Sequence, residues 1–130
     1  MQTIYVDTHP GTLLGAEHFT GAEFRCKDGT KEFLFCPNLI EVLEEIRKHF
    51  NKPIIIKSGY RTPWWNVKVG GAKNSYHCKG MAADIRIKEV STDKIAKYAS
   101  EIMKNHGGVI RYTNFVHVDV REGYYRKGVK

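Results

Sequence analysis

No run of apolar residues in this sequence reaches the roughly 18 needed to span a bilayer, so no membrane-crossing helix is expected. Cysteine is scarce: Cys26, Cys36 and Cys78 are the three present. An odd count in so short a chain argues against a disulfide framework, although Cys26 and Cys36 could pair across a hairpin. The spacing C-x-x-C does not occur, which excludes a cysteine-type zinc knuckle. The opening residues MQTIYVDTHPG have neither a basic start nor an apolar centre, so they are not expected to be a signal peptide. Such a chain stays where it is made, leaves by a route such as cell lysis, or has lost a leader. Repeats, low-complexity tracts and linker-like stretches are also missing. Acidic charge is in the minority, with 14 Asp and Glu against 21 Lys and Arg, a net +7 and a pI near 9.4. That balance favours an anionic partner such as an acidic polymer, a membrane surface or nucleic acid, or it is only a lysine-rich surface.

What is present suits one folded domain. The 130 residues are 42% hydrophobic, enough for a real core, and the domain is expected to run continuously from about residue 17 to 122. Thr20 is a possible N-cap of a short turn. Asp28-Gly29 and the apolar residues 33–35 suggest a small hairpin. In PNLIEVLEEIRKHF, residues 37–50, Leu39, Val42, Leu43, Ile46 and Phe50 recur at helical spacing, with Glu41, Glu44 and Glu45 off that face. Ile54-Ile55-Ile56 reads as a buried strand. Thr62-Pro63 reads as an N-cap and first helical residue of a short helix or turn through Trp64-Trp65-Asn66. Residues 82–87 alternate like a strand, with Asp84 and Arg86 on one face. A second long helix starts at Ser91 or Thr92, carries Ile95, Tyr98, Ala99 and Ile102 as its stripe, and ends at Gly107-Gly108. Residues 109–111 and 115–120 read as a closing antiparallel pair. The expected class is α+β, a small, mostly antiparallel sheet with two main helices packed on it.

Two stretches carry possible chemistry. SYHCKGMAAD, residues 75–84, places His77 seven positions before Asp84 with Gly80 between them. In NFVHVDVR, residues 114–121, His117 and Asp119 share one face of a strand whose other face holds Val116, Val118 and Val120. Alone, each stretch could be a solvated turn or a solvated strand edge. Together, His77, Asp84 and His117 offer two imidazole nitrogens and one carboxylate. Zinc takes this donor set in catalytic sites, where a fourth position stays open for water that becomes far more acidic.

Several motifs in order make the resemblance specific. Ser75, His77, Gly80, Ala82 and Asp84 fit S-x-H-x-x-G-x-A-x-D, SGYRTPWWN spans Ser58 to Asn66, GGAKNS spans Gly70 to Ser75, and FVHVDVR closes the set. The chain thereby resembles the zinc D-Ala-D-Ala carboxypeptidase family, peptidoglycan metallopeptidases that share the hedgehog-type fold. The resemblance covers about residues 20 to 121. It implies His77, Asp84 and His117 as zinc ligands and Arg61 as a substrate group. A guanidinium at Arg61 would hold a peptide carboxylate bidentately, or it could form a structural ion pair with Asp84 or Glu23. Ser75 could bond the ligand or only stabilise its turn.

The general base is where this sequence departs from the family. Members place Glu or Asp three residues before the last histidine, where Asn114 stands here, and another branch has histidine two before, where Phe115 stands. Asp119 remains, either as a base that handles protons or as the partner that fixes a ligating ring. Trp64, Trp65, Tyr76 and Tyr112 could line or flank the substrate cleft, and Cys78 reads as a packed thiol. His9, His18, His49 and His106 show no partner spacing. The tail EGYYRKGVK could lie on an anionic polymer or be a frayed terminus.

The expected function is a zinc metallopeptidase acting on peptidoglycan stem peptides, as a carboxypeptidase or an endopeptidase, and as a monomer. The lack of a signal peptide favours a phage-type, endolysin-like enzyme over a resident secreted one. The alternative is a non-catalytic zinc-binding module that recognises cell wall. A nucleic-acid binder is the weakest reading, because it rests on charge and the tail alone.

Overall fold

The computed structural model describes residues 5–7, as backbone only, and 16–130. His9 and most of MQTIYVDTHPG lie outside the described residues. The elements in order are β1 (Tyr5–Asp7), α1 (Gly21–Phe24), β2 (Phe33–Phe35), α2 (Pro37–Phe50), β3 (Ile54–Ser58), α3 (Pro63–Lys68), a 3-10 turn (Tyr76–Lys79), β4 (Ala82–Ile87), α4 (Thr92–Met103), β5 (Gly107–Arg111), β6 (Val116–Asp119) and β7 (Tyr124–Lys127). Five strands form one sheet in the order β3-β4-β6-β5-β7. All its pairings are antiparallel except β5 with β7. The expected α+β class with a mostly antiparallel sheet is what the chain adopts.

Both long helices form where the apolar period predicts. Pro37 occupies the first turn of α2, and Asn51 ends it in the left-handed conformation, donating its N–H to Arg47 O. Ser91 caps α4 by accepting from the Lys94 N–H at 3.2 Å. Leu39, Leu43 and Ile46 of α2 and Ile95, Ala96 and Ala99 of α4 join one core with Ala83, Ile85, Val109, Val116 and Val118 from the sheet. One sheet face is therefore apolar and covered. Asp84, His117 and Asp119 alternate out of it, as period-2 geometry requires.

Four features differ from the sequence reading. The turn at Cys26–Gly29 forms, with Gly29 N donating to Cys26 O, but no hairpin follows. Strand β2 pairs instead with β1, and the three cysteines are free thiols. Gly107-Gly108 do not end α4, which stops at Met103, but open β5. The tail is a strand: β7 lies parallel to β5 with Gly108 opposite Tyr125. Glu44 is buried because it accepts the backbone N–H groups of Glu17 and His18 at 2.6 and 2.7 Å and pairs with the His18 ring. His18 therefore has a partner that spacing did not reveal.

Two local devices aim the site. A bulge in β3 between Ile56 and Ser58 shifts the register by one residue. Without it Lys57 would oppose Asp84; with it Ser58 does. Gly80 follows the 3-10 turn with φ +72°, and a Cβ there would sit 2.5 Å from the Leu34 carbonyl. The chain can reverse into β4 only with glycine at this point. Gly80→Ala is expected to destabilise the protein by about 2 kcal/mol or more, from left-handed strain plus the backbone clash, read as a lower urea midpoint at unchanged slope.

Candidate active site

Register brings the polar residues together. Ser58 opposes Asp84, Asp84 opposes His117, and His117 opposes Ile110 across four adjacent strands. His77 arrives from the 3-10 turn, where Ser75 caps its backbone N–H at 3.1 Å. His77, Asp84 and His117 are all buried, and one donor atom from each lies within 4.8 Å of the other two.

The outer side of each imidazole decides what its inner side can do. His77 Nδ1 is 2.7 Å from the Gly59 carbonyl, which can only accept, so Nδ1 carries the proton. His77 Nε2 then presents a lone pair 3.2 Å from Asp84 Oδ1. His117 Nε2 is 2.7 Å from Asp119 Oδ2, and Asp119 is itself held ionised by Arg121. Nε2 therefore donates, and His117 Nδ1 presents its lone pair 3.1 Å from the same Asp84 Oδ1. Three acceptors converge with no donor of their own between them. Such a donor set fits a divalent cation, whose charge two neutral imidazoles and one carboxylate would reduce to about +1.

Without a cation between them, protons take its place, and the histidines then donate to Asp84. Burial alone would raise the Asp84 pKa, but hydrogen bonds from His117 and His77 hold it well below the carboxylate range. Burial likewise works against ionised Asp119, and the Arg121 and His117 hydrogen bonds outweigh it. For His117, burial disfavours the imidazolium, yet the bonds to Asp119 and Asp84 together raise its pKa.

A cleft of about 580 Å³ opens over this group, lined by Arg61, Ser75, Tyr76, Tyr112 and Arg121 among others. Arg61 donates through Nε to Ser58 Oγ at 3.2 Å, through Nη1 to Asn66 Oδ1 at 3.2 Å and through Nη2 to Asp84 Oδ2 at 3.3 Å. The ion pair weighed from the sequence thus exists with Asp84 rather than Glu23. Tyr112 stacks on Phe115 with ring centroids 4.6 Å apart. Trp64 is not brought to the cleft: its ring is 62% exposed on α3, with Lys68 over it. Cys78 is half-buried in the 3-10 turn, and burial raises its thiol pKa.

Asp119 is fully buried behind the His117 ring and does not line the cleft. Its oxygens take the Arg121 side chain at 2.8 and 2.6 Å and the Arg121 backbone N–H at 3.1 Å. Among the described cleft-lining residues, Asp84 is the sole carboxylate. Sequence reasoning missed Arg121, Asn66 and the Gly59 carbonyl. All three stood inside the quoted motifs, Gly59 and Asn66 in SGYRTPWWN and Arg121 in FVHVDVR, but nothing local to them named their partners.

The family model described as Peptidase M15 matches residues 17–119. Among curated proteins, the "Probable peptidoglycan L,D-endopeptidase MepK" of Haemophilus influenzae is 39% identical over 103 residues, covering 72% of this chain and 54% of that protein. The "Peptidoglycan L,D-endopeptidase MepK" of Escherichia coli K12 is 37% identical over 73 residues, covering 52% of this chain and 40% of its own. The chain thus spans about half the length of these relatives or less.

Removing Asp119 leaves the Arg121 guanidinium and the His117 ring without their buried acceptor. Asp119→Ala is expected to lower the unfolding free energy of the metal-free protein by about 3 kcal/mol. Because the folded pKa of Asp119 is depressed, its contribution is complete above its unfolded value near 4 and is lost as pH falls below that. Urea titrations of both proteins should therefore converge in acid and diverge at neutral pH.

Proposed function

Because the chain belongs to the peptidase M15 family, a family of metal-dependent enzymes, we propose that it is a zinc-dependent peptidase that hydrolyses peptide bonds in peptidoglycan stem peptides. The observation that carries this reading is the convergence of His77 Nε2, Asp84 Oδ1 and His117 Nδ1, each with its lone pair turned inward by what holds the other side of the group. These three residues would hold the ion. The chemistry zinc supplies when bound is that of a Lewis acid, acidifying water and polarising a carbonyl.

The chain's own residues do the rest. Gly59 O and Asp119 orient the two rings and keep each in one tautomer. Both oxygens of Asp119 are occupied away from the cleft, which supports this orienting role over that of a base. Arg61 anchors a substrate carboxylate. Three of its five N–H groups are bonded within the protein, which leaves two for a ligand and fixes the plane in which they are offered. Ser75 holds the His77 turn, and Tyr76 and Tyr112 wall the cleft. The net charge of +7 suits an anionic wall polymer. Of the two peptidase types, the endopeptidase is favoured, since the relatives carry that name.

The second reading, a zinc-binding wall-recognition module without hydrolysis, is favoured by one observation: no carboxylate other than Asp84 lines the cleft among the described residues. Digestion of purified muropeptides, followed by mass spectrometry, separates the two and identifies the bond cut. Cleavage that a chelator abolishes and zinc restores is the expected result; bound zinc with every muropeptide intact would leave the recognition module.

Metal analysis of untreated protein should find about one equivalent of zinc, and His117→Ala should lose it. Under half an equivalent, with no other transition metal in its place, counts against the site. Arg61→Lys keeps the charge but loses the fork, and should lower kcat/KM about 10- to 100-fold, as expected for one or two charge-assisted hydrogen bonds. An unchanged kcat/KM would remove Arg61 from substrate binding.

A further inference from the structure

The tail strand β7 lies beyond the residues that the family model matches, yet it reaches the candidate metal site through one arginine. Arg121 grips Asp119 with two side-chain bonds of 2.8 and 2.6 Å. Asp119 in turn takes the Nε2 proton of His117 at 2.7 Å. The guanidinium lies over two rings, Tyr76 at 4.5 Å and Tyr125 at 5.0 Å from their centroids. Tyr76 directly precedes His77; Tyr125 belongs to β7.

The sheet is built to admit this contact. Gly108 on β5 opposes both Asp119 on β6 and Tyr125 on β7. A Cβ at Gly108 would run into the Asp119 carboxylate and sit 2.8 Å from Arg121 Nε. The missing side chain leaves the space through which Arg121 reaches across to Asp119. Arg126 pins β7 itself, donating to Gly107 O at 2.6 Å and Ser100 Oγ at 2.7 Å.

We propose that Arg121 is a positioning residue and that β7, through the Tyr125 ring, is part of the metal-binding apparatus. Resting on the metal-site reading above, the proposal is that Tyr125 and Tyr76 hold the guanidinium, the guanidinium holds Asp119, and Asp119 sets the tautomer and angle of the His117 ring. An arginine free to swing would leave Asp119 able to rotate and His117 able to present the wrong nitrogen. Stacking on aromatic faces and a bidentate carboxylate clamp are both properties that arginine has and lysine lacks.

The test uses the full chain and two readouts besides activity: the zinc dissociation constant by competition with a chelating dye, and the visible absorption of the cobalt(II)-substituted protein. Arg121→Lys is expected to weaken zinc binding about 10-fold, the lower end of what outer partners of a ligating histidine contribute. Tyr125→Ala, at a residue 41% exposed and so tolerant of change, is expected to weaken it roughly 3-fold and to shift the cobalt spectrum. Tyr125→Phe keeps the ring and should restore both. Unchanged zinc affinity and cobalt spectra in Arg121→Lys and Tyr125→Ala would overturn the inference, as would a defect in Tyr125→Ala that Tyr125→Phe does not repair. If the wild type binds zinc and cleaves muropeptides while the variants match it, only this inference falls. A wild type that takes up no divalent metal brings down the functional reading and this inference together.

Discussion

With both imidazoles neutral, three lone pairs aim at one point and repel each other, and the middle of this molecule is organised to hold them there. Asp84 Oδ1 has a histidine nitrogen 3.1 Å away on one side and another 3.2 Å away on the other. Neither ring can turn to relieve the repulsion, because Gly59 O and Asp119 claim the protons on their far sides. Much of the fold serves that constraint. The β4–β6 register sets Asp84 against His117, and the β3 bulge puts Ser58 rather than Lys57 beside them. The reversal at Gly80 returns the chain from the histidine turn into β4. A cation would turn the repulsion into attraction, so metal binding and folding stability should be strongly coupled in this protein.

Arg61 shows how one side chain serves structure and recognition together. Its bond to Asp84 Oδ2 occupies the carboxylate oxygen that does not face the histidines. Its bond to Asn66 ties α3 to the cleft wall. A ligand carboxylate would thus meet a guanidinium already ordered, and little rotamer entropy would be lost on binding. Salt bridge and substrate anchor are alternatives for a flexible arginine; for one with five donors held in a fixed plane they are compatible.

Much of this was legible in the sequence where the signal was local. Helix α2 occupies residues 37–50 as its apolar period predicts, and β4 occupies 82–87 as its alternation predicts. His77, Asp84 and His117 were readable as a set from their donor chemistry together with the family motifs they sit in, S-x-H-x-x-G-x-A-x-D and FVHVDVR. What was hidden depends on distant partners. Nothing near Phe33 says that β2 pairs with β1, and nothing near Glu44 says that two backbone N–H groups 26 and 27 residues away will bury it. The tail read as a polymer-binding segment or a frayed end because YYRK shows no strand-like alternation of its own; its place as a strand comes from β5. Asp119 was ambiguous because strand parity puts it on the His117 face without saying which side of the ring it occupies. Arg121 resolves that by pulling the carboxylate to the far side.

The position of β7 also bears on how the molecule behaves in a crowd. An open five-stranded sheet has two edges, and unpaired backbone groups there can recruit strands from other molecules. One edge, β3, is interrupted by its bulge and carries the exposed Lys57. The other, β7, is four residues long and ends in Arg126 and Lys127. Irregularity guards the first edge and brevity with positive charge guards the second. A chain without β7 would expose the edge of β5, so the strand proposed to steady the candidate metal site also covers backbone groups that could otherwise recruit a strand from another copy.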